Sequence, residues 1–234
     1  MATMRLDKYL ARSLQLSRSA ARALIRSGEV EVEGLPCRHA DAAVAASAVI
    51  RYQGRCLSSP QEAPGYWMLH KPASYLSATR DDHQPTVVDL LPVHLRAGLQ
   101  VAGRLDKDST GLLLLTSDGA WSHRLRRPGR HSKVYLLHLA EDVTAAMLQA
   151  WLQGVDLHAD GLARALAVEG LDARCVRMTI DEGRYHQVRR MCAAVGNHVL
   201  SLHREQVAGI HLDPDLAPGQ WRPLSAEEVA CVDT

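Results

Sequence analysis

The sequence predicts an α+β protein in two parts: a small N-terminal module of two helices and short strands, then a larger body. The body is expected to hold a mixed, largely antiparallel sheet flanked by helices. Three observations carry this reading. Residues 5–27 show two apolar helical stripes in succession, followed by short alternating segments that end at glycines. Residues 58–65, SSPQEAPG, then break the pattern with a polar stretch containing Pro and Gly. Beyond it, strand-like and helix-like segments follow in irregular order, without the βαβα alternation that a parallel sheet requires.

Within RLDKYLARSL, residues 5–14, Leu6, Tyr9, Leu10 and Leu14 fall at helical spacing. Ser17 has the chemistry of an N-cap for the next helix, SRSAARALIRSG. There Ala20, Ala21, Leu24 and Ile25 form the apolar stripe, and Gly28 sits where the helix should stop. Arg18, Arg22 and Arg26 recur every four residues and so share a face. In EVEVEG, Val30 and Val32 alternate with glutamates as in a half-buried strand, and ASAVIRYQG reads as another. A module of roughly 60 residues is marginal but feasible as an independent fold. The expected division is residues 1–58, a linker at 59–65, and a body at 66–234. In the body YWMLHKP, QVAGRLD, GLLLLT, KVYLLHLA and RCVRMTI read as strands. DGAWSHRLRR, VTAAMLQAWLQG, RYHQVRRMCAAVG and SAEEVACV read as helices, the last opened by a capping box from Ser225 and Glu228.

Composition narrows the function. With 27 basic and 26 acidic residues, a net charge of +1 and 47% hydrophobic residues, the 234-residue chain has a globular composition. No apolar run approaches the ~20 residues of a membrane span. The N-terminus carries charges inside its first apolar stretch, unlike a signal peptide. Five widely spaced cysteines without a CxxC pair argue against a disulfide framework or zinc site, and point to a reducing compartment such as the cytoplasm. Only four of the basic residues are lysines, and the charge is uneven. Residues 1–28 hold Arg5, Lys8, Arg12, Arg18, Arg22 and Arg26 against the single acid Asp7. Residues 122–133 hold Arg124, Arg126, Arg127, Arg130 and Lys133 against none. Arginine's planar fork pairs bidentately with phosphate, so two such patches on a neutral protein suit a polyanion gripped locally, or are simply solvated faces.

The chain has no GxGxxG, no GxxxxGK[ST], no HExxH and no GxSxG, so nucleotide cofactors, zinc and a serine hydrolase are not indicated. The distinctive segment is VAGRLDKDSTGLLLLT, residues 101–116. Two apolar strand-like pieces flank a polar loop in which Asp106 and Asp108 sit among Arg104 and Lys107. A carboxylate among cations stays ionised and suits nucleophilic work. The same two carboxylates could instead cap the turn. The cations argue against a divalent metal.

These residues resemble known families. Arg5-Leu6-Asp7-Lys8, Ser17-Arg18-Ser19, Ala21-Arg22, Leu24-Ile25, Gly28, Val30, Val32 and Gly34 resemble the S4 RNA-binding domain (the αL-type module), over about the first 55 residues. Gly103-Arg104-Leu105-Asp106 with Asp108-Ser109 and Gly111 to Thr116 resembles the catalytic motif of RNA pseudouridine synthases. Leu69-His70-Lys71-Pro72, Lys133-Val134-Tyr135, the run Glu182 to Met191, and Leu202 in Ser201-Leu202-His203-Arg204 agree in order and spacing. Val134 departs from the small hydroxyl residue common there. Trp121-Ser122-His123-Arg124, Arg184-Tyr185-His186-Gln187, Ala194 to His198 and Leu202 to Glu205 are most similar to the RsuA branch, which acts on 16S ribosomal RNA.

The resemblance implies isomerisation of uridine to pseudouridine in 16S rRNA, without metal or other cofactor. It implies catalytic roles for Asp106 (nucleophile, at C1′ or at the uracil ring), Tyr135 (stacking and C5 proton removal) and Arg189 (partner of Asp106). Arg104 would assist base flipping and Leu202 would pack under the base. Arg184, His186 and Gln187 would contact RNA, and His186, Gln187 and Arg204 either orient RNA or brace the site. Arg5, Lys8, Arg18, Arg22 and Arg26 would bind RNA in the S4 module. The implied partner is 16S rRNA, within a partly assembled small-subunit particle, and the implied state is a cytoplasmic monomer with no membrane contact. The rivals are the same chemistry on 23S rRNA and a non-catalytic rRNA-binding assembly factor.

Overall fold

The structure, a computed structural model, describes residues 3–14, 16–45, 48–57, 65–96 and 98–233. Apart from Gly65, the linker expected at 59–65 lies outside the described residues. The chain divides into two compact units. One comprises 1–64 with 93–98, and the other 65–92 with 99–234.

In the first unit, α1 (Leu6–Ser13) and α2 (Arg18–Ser27) pack their stripes together. Leu6, Tyr9, Leu10, Ala21, Ile25, Val30 and Ile50 are fully buried between them and the short strands. Ser17 caps α2 by accepting the Ala20 N–H at 3.1 Å, and Gly28 ends it at φ 85°, a left-handed conformation that suits glycine. The strands Val30–Val32 and Ile50–Tyr52 pair antiparallel, in line with their alternation.

The second unit is built on a mixed sheet, nine-stranded among the described residues. Its strands are β1 (Tyr66–Lys71), β2 (Thr110–Thr116), β3 (Lys133–Leu139), β4 (Ala167–Asp172), β5 (Cys175–Ile180), β6 (Val199–Val207) and β7 (Trp221–Pro223). Their order is β4-β5-β3-β6-β2-β1-β7, with Gln100–Ala102 beside β2 and Ile210–His211 beside β6. The pairings are antiparallel except β6 with β2, which is parallel. Neither β4 nor β6 is among the strands expected from the sequence. The strand β6 alternates His203 and Glu205 with Leu202 and Arg204, so only part of its inner face is apolar.

Helices α3 (Gly119–Leu125), α4 (Ala145–Gln153), α5 (Gln187–Ala194) and α6 (Ala226–Ala230) complete the unit. Asp118, Thr144 and Ser225 cap α3, α4 and α6 through their side chains. Ser225 and Glu228 form the expected capping box. Met68, Leu112, Leu114, Trp121, Leu125, Val207, Ile210 and Val232 form one buried cluster, where the Trp121 indole N–H donates to the Val229 carbonyl at 3.0 Å. The Trp151 indole N–H donates to the Met191 carbonyl at 3.0 Å and so ties α4 to α5. The buried Trp151 and its bond to Met191 anchor the helix that carries Arg189.

Candidate active site

The parallel pairing of β2 with β6 sets the site. Gly111 lies opposite Arg204 at φ 103°, and a Cβ there would come within 2.3 Å of the Arg204 carbonyl oxygen. Only glycine permits this approach. It places the loop before β2, residues 103–109, directly over the buried Arg204 side chain.

That loop is held by its carbonyls. Arg204, 1% exposed, donates to the carbonyls of Leu112 (2.8 Å), Gly103 (3.0 Å) and Arg104 (3.4 Å). Lys71, fully buried, donates to the carbonyls of Ser109 (2.8 Å), Lys107 (2.9 Å) and Pro72 (3.0 Å). The Ser77 hydroxyl donates to the Leu105 carbonyl at 2.7 Å, and the Leu105 N–H donates to the same hydroxyl oxygen at 3.1 Å. Burial pushes the Lys71 ammonium down to about 8, while Asp108 and Asp106 act the other way. Burial and the nearby Arg204 bring Lys133 to about 8 as well. A buried charge costs free energy unless it is well solvated by the protein, and here backbone carbonyls do that work for Lys71 and Arg204. The loop therefore presents Asp106 from a fixed frame.

Asp106 sits 29% exposed in a cleft. Its Oδ2 is 3.4 Å from Arg189 Nε and its Oδ1 is 3.5 Å from His186 Nε2. Arg189 is itself anchored, donating from Nη1 to the Val199 carbonyl at 3.2 Å. Arg104, Leu105, Ser109, Tyr135, Ile180, Val188 and Leu202 line the same cleft. Tyr135 is opposite Met178 on β5 and Arg204 on β6, and Leu137 is opposite Leu202, so Tyr135 and Leu202 share one face of the sheet. Tyr135, Ile180 and Leu202 are each at most 7% exposed and give the cleft an apolar floor. The arrangement puts a carboxylate flanked by two cationic or titratable donors above a flat apolar surface, in reach of an exposed arginine, Arg104.

The expected residues Asp106, Tyr135, Arg189, Arg104, Leu202, His186, Gln187 and Arg184 thus line one cleft. Their partners differ. Arg184 donates to the carbonyls of Asp160 (2.5 Å), Gly161 (3.4 Å) and Leu162 (3.1 Å) and pairs with Glu182 at 3.0 Å. The Gln187 side chain is buried, accepting from the Arg184 N–H at 2.9 Å and donating to Glu182 at 2.6 Å. Both side chains are engaged by other parts of the protein and brace the Glu182–Gln187 turn. Arg190 pairs with Asp160 and donates to the Leu157 carbonyl at 2.6 Å. Asp108 and Lys107 are exposed on the loop. Lys71, Ser77 and Ile180 are given no role by the sequence analysis. Lys71 stood in a quoted motif, but nothing local announces that a lysine will be buried. Among the described residues, no group of three or more His, Cys, Asp or Glu side chains is arranged to hold a metal ion. All five cysteines are free, and burial pushes the Cys192 thiol up to about 12.

In the first unit, Asp7 is fully buried and receives hydrogen bonds from three arginines. Arg18 reaches it at 2.9 Å, Arg22 at 2.9 Å and Arg5 at 3.2 Å. Burial pushes this carboxyl up, but the hydrogen bonds from Arg5, Arg22 and Arg18 outweigh it and hold the group at about 2. The three guanidinium groups remain about half exposed. Arg26 is exposed on α2, and Lys8 is half-buried on α1.

Residues 65–194 match the family model of RNA pseudouridylate synthases, more than half of the chain. The chain belongs to the RNA pseudouridylate synthase family. Residues 4–50 match the S4 domain. The chain is 46% identical over 231 residues, 98% of its length and 100% of the relative's, to ribosomal small subunit pseudouridine synthase A of Escherichia coli strain K12. It is 44% identical over 231 residues, with the same coverage, to the protein of that name from Pseudomonas aeruginosa. A solved pseudouridylate synthase superposes with a TM-score of 0.71 at 37% identity, covering 98% of this chain and 99% of the other. The fold is therefore that of a pseudouridine synthase preceded by an S4 domain, and the chain is an enzyme of this class.

Proposed function

We propose that this enzyme isomerises a specific uridine of 16S ribosomal RNA to pseudouridine. Near full-length identity of 44–46% to enzymes named for the ribosomal small subunit supports 16S over 23S rRNA as the substrate. The observation that carries the chemistry is Asp106, held between Arg189 and His186 above Tyr135, Ile180 and Leu202. In the reaction the N1–C1′ bond of the uridine breaks and a C5–C1′ bond forms. The C5 proton is lost and N1 takes up a proton, so no redox or phosphoryl step is needed.

Asp106 is the nucleophile, attacking C1′ or the uracil ring. Arg189 orients it through the 3.4 Å contact between Nε and Oδ2. Tyr135 supplies a ring face for the flipped base and a hydroxyl for the C5 proton, and Leu202 packs under the base. Arg104 enters the space that the base leaves, since the glycosidic bond is unreachable within a stack. The S4 domain, taken as residues 1–58, supplies RNA affinity through Arg5, Lys8, Arg18, Arg22 and Arg26. Residues 59–65 link it to the catalytic domain at 66–234. The proposal extends to a cytoplasmic monomer that acts on 16S rRNA within a partly assembled small-subunit particle. Sizing the protein, and comparing its activity on free 16S rRNA with that on assembled subunits, decide these points.

The test is tritium release from C5-labelled uridine in 16S rRNA. Asp106→Asn is expected to abolish release while leaving fold and RNA affinity near wild type, because an amide is a poor nucleophile of the same size. Asp108→Asn, on the same loop but exposed, is expected to retain activity. Release by Asp106→Asn at the wild-type rate overturns the assignment. Mapping pseudouridines in rRNA from cells lacking the gene identifies the target.

A further inference from the structure

At 77% exposure, Tyr185 is the most exposed large side chain with apolar character among the described residues. It is not loose. Its ring lies against the His186 imidazole with centroids 3.8 Å apart and planes 17° apart, a stacked pair. Its carbonyl accepts from Arg190 Nη1 at 3.3 Å. His186 is held at φ 47°, ψ 32°, a left-handed conformation that side chains other than glycine adopt at an energetic cost. The turn is fixed on both sides, by the Gln187 side chain to Glu182 and to the Arg184 N–H, and by Arg184 to residues 160–162. The result is an aromatic ring whose inner face rests on His186. His186 Nε2 in turn is 3.5 Å from Asp106.

We propose that Tyr185 is a stacking platform for the nucleotide next to the target uridine. His186 backs the ring on its inner face. This rests on the reading of the cleft as the pseudouridine-forming site. When the target base leaves its stack, the neighbouring base loses a partner on one face. A flat, exposed aromatic ring between Arg184 and His186, which line the cleft, replaces that partner, and it does so for any base because every base has a π-face. The outer face of Tyr185 takes the nucleotide, and its inner face continues the stack onto His186. Tyr185 is thus a binding and positioning residue, and its contact is made before as well as during the chemical step.

The experiment is steady-state tritium release from C5-labelled 16S rRNA by Tyr185→Ala, Tyr185→Leu, Tyr185→Phe and Tyr185→Trp, beside Asp106→Asn. Losing one base–aromatic stack is expected to raise KM roughly five- to a hundredfold with kcat within a few fold. Ala and Leu should both show this, and Phe and Trp should restore the wild-type KM. A short RNA carrying the mapped target, with 2-aminopurine beside the uridine, gives a direct readout. Wild-type and Tyr185→Phe protein should quench its fluorescence on binding, and Tyr185→Ala and Tyr185→Leu should not. A wild-type KM in Tyr185→Ala, or rescue by Leu equal to that by Phe, overturns the platform. If Asp106→Asn is inactive while Tyr185→Ala is unchanged, the platform alone fails. If Asp106→Asn still releases tritium, the reading of the cleft fails and takes the platform with it.

Discussion

Asp7 is one of seven carboxylates and cations in residues 1–28, and its setting turns a surface charge pattern into a buried device. Three arginine forks converge on it, and the net effect holds its carboxyl at about 2, below the usual 3.8. A depressed carboxyl binds fewer protons in the folded state than in the unfolded one. Stability therefore rises with pH through the interval between the two values. The contribution is complete above pH about 4 and is lost as the pH falls through about 2. Replacing Asp7 by Asn should cost the first unit about 2 kcal/mol at neutral pH, a figure that allows for solvent screening of the half-exposed arginines. The cost should shrink toward zero near pH 2. Urea unfolding of both proteins at several pH values measures this, and equal stability at pH 7 would contradict the ion cluster. Arg189 and Arg204 make a contrast at the same scale. Both are arginines near the cleft, yet one faces a carboxylate and the other backbone carbonyls alone.

At the scale of elements, the join between β2 and β6 bears most directly on activity. Parallel strands from distant parts of the chain meet at Gly111 and Arg204, with no room for a Cβ. Gly111→Ala should destabilise the second unit by about 3 kcal/mol or more, from backbone strain together with overpacking. It should also lower activity, since the loop carrying Asp106 is held by Arg204 itself. Denaturant unfolding and tritium release on the same samples check both parts, and a protein of wild-type stability would mean that the strands meet elsewhere. The helices were easier to read than this join. Ser17, Gly28 and the Ser225–Glu228 box act within three or four residues of the helix they bound, so their signal is local. The strand β6 was not, because its inner face mixes Leu202 with Arg204 and its pairing depends on partners far away in sequence.

For the whole molecule, the S4 domain is proposed to supply affinity and the catalytic fold chemistry, and the structure alters how that division is tested. Arg18, Arg22 and Arg26 share a helix face, but the first two also hold Asp7. Arg26→Gln should reduce the slope of log affinity against log salt by about 0.7–0.9 per lost phosphate contact, without changing the melting temperature. Arg18→Gln with Arg22→Gln should reduce the slope and lower the melting temperature too, because Asp7 loses two of its donors. Activity at saturating RNA should largely survive in each. An unchanged slope in both variants would remove this face from the RNA surface.

The two-part organisation, the Ser17 cap, the Gly28 stop, the Ser225–Glu228 box, the alternation of the main strands and the loop on which the chemistry is proposed to turn are legible in the chain alone. These rest on side chains acting on their own neighbours or on motifs contiguous in the chain. Which charges are satisfied inside the protein is settled by long-range folding. Arg204 reaches carbonyls 92 to 101 positions away, Lys71 reaches 36 and 38 positions ahead, and Arg184 reaches back 22 to 24 positions to residues 160–162. A basic residue reads alike in sequence whether it will meet phosphate, carboxylate or a buried carbonyl. The choice is made by burial, since a cation taken out of water must find its hydrogen bonds wherever the fold brings acceptors to it.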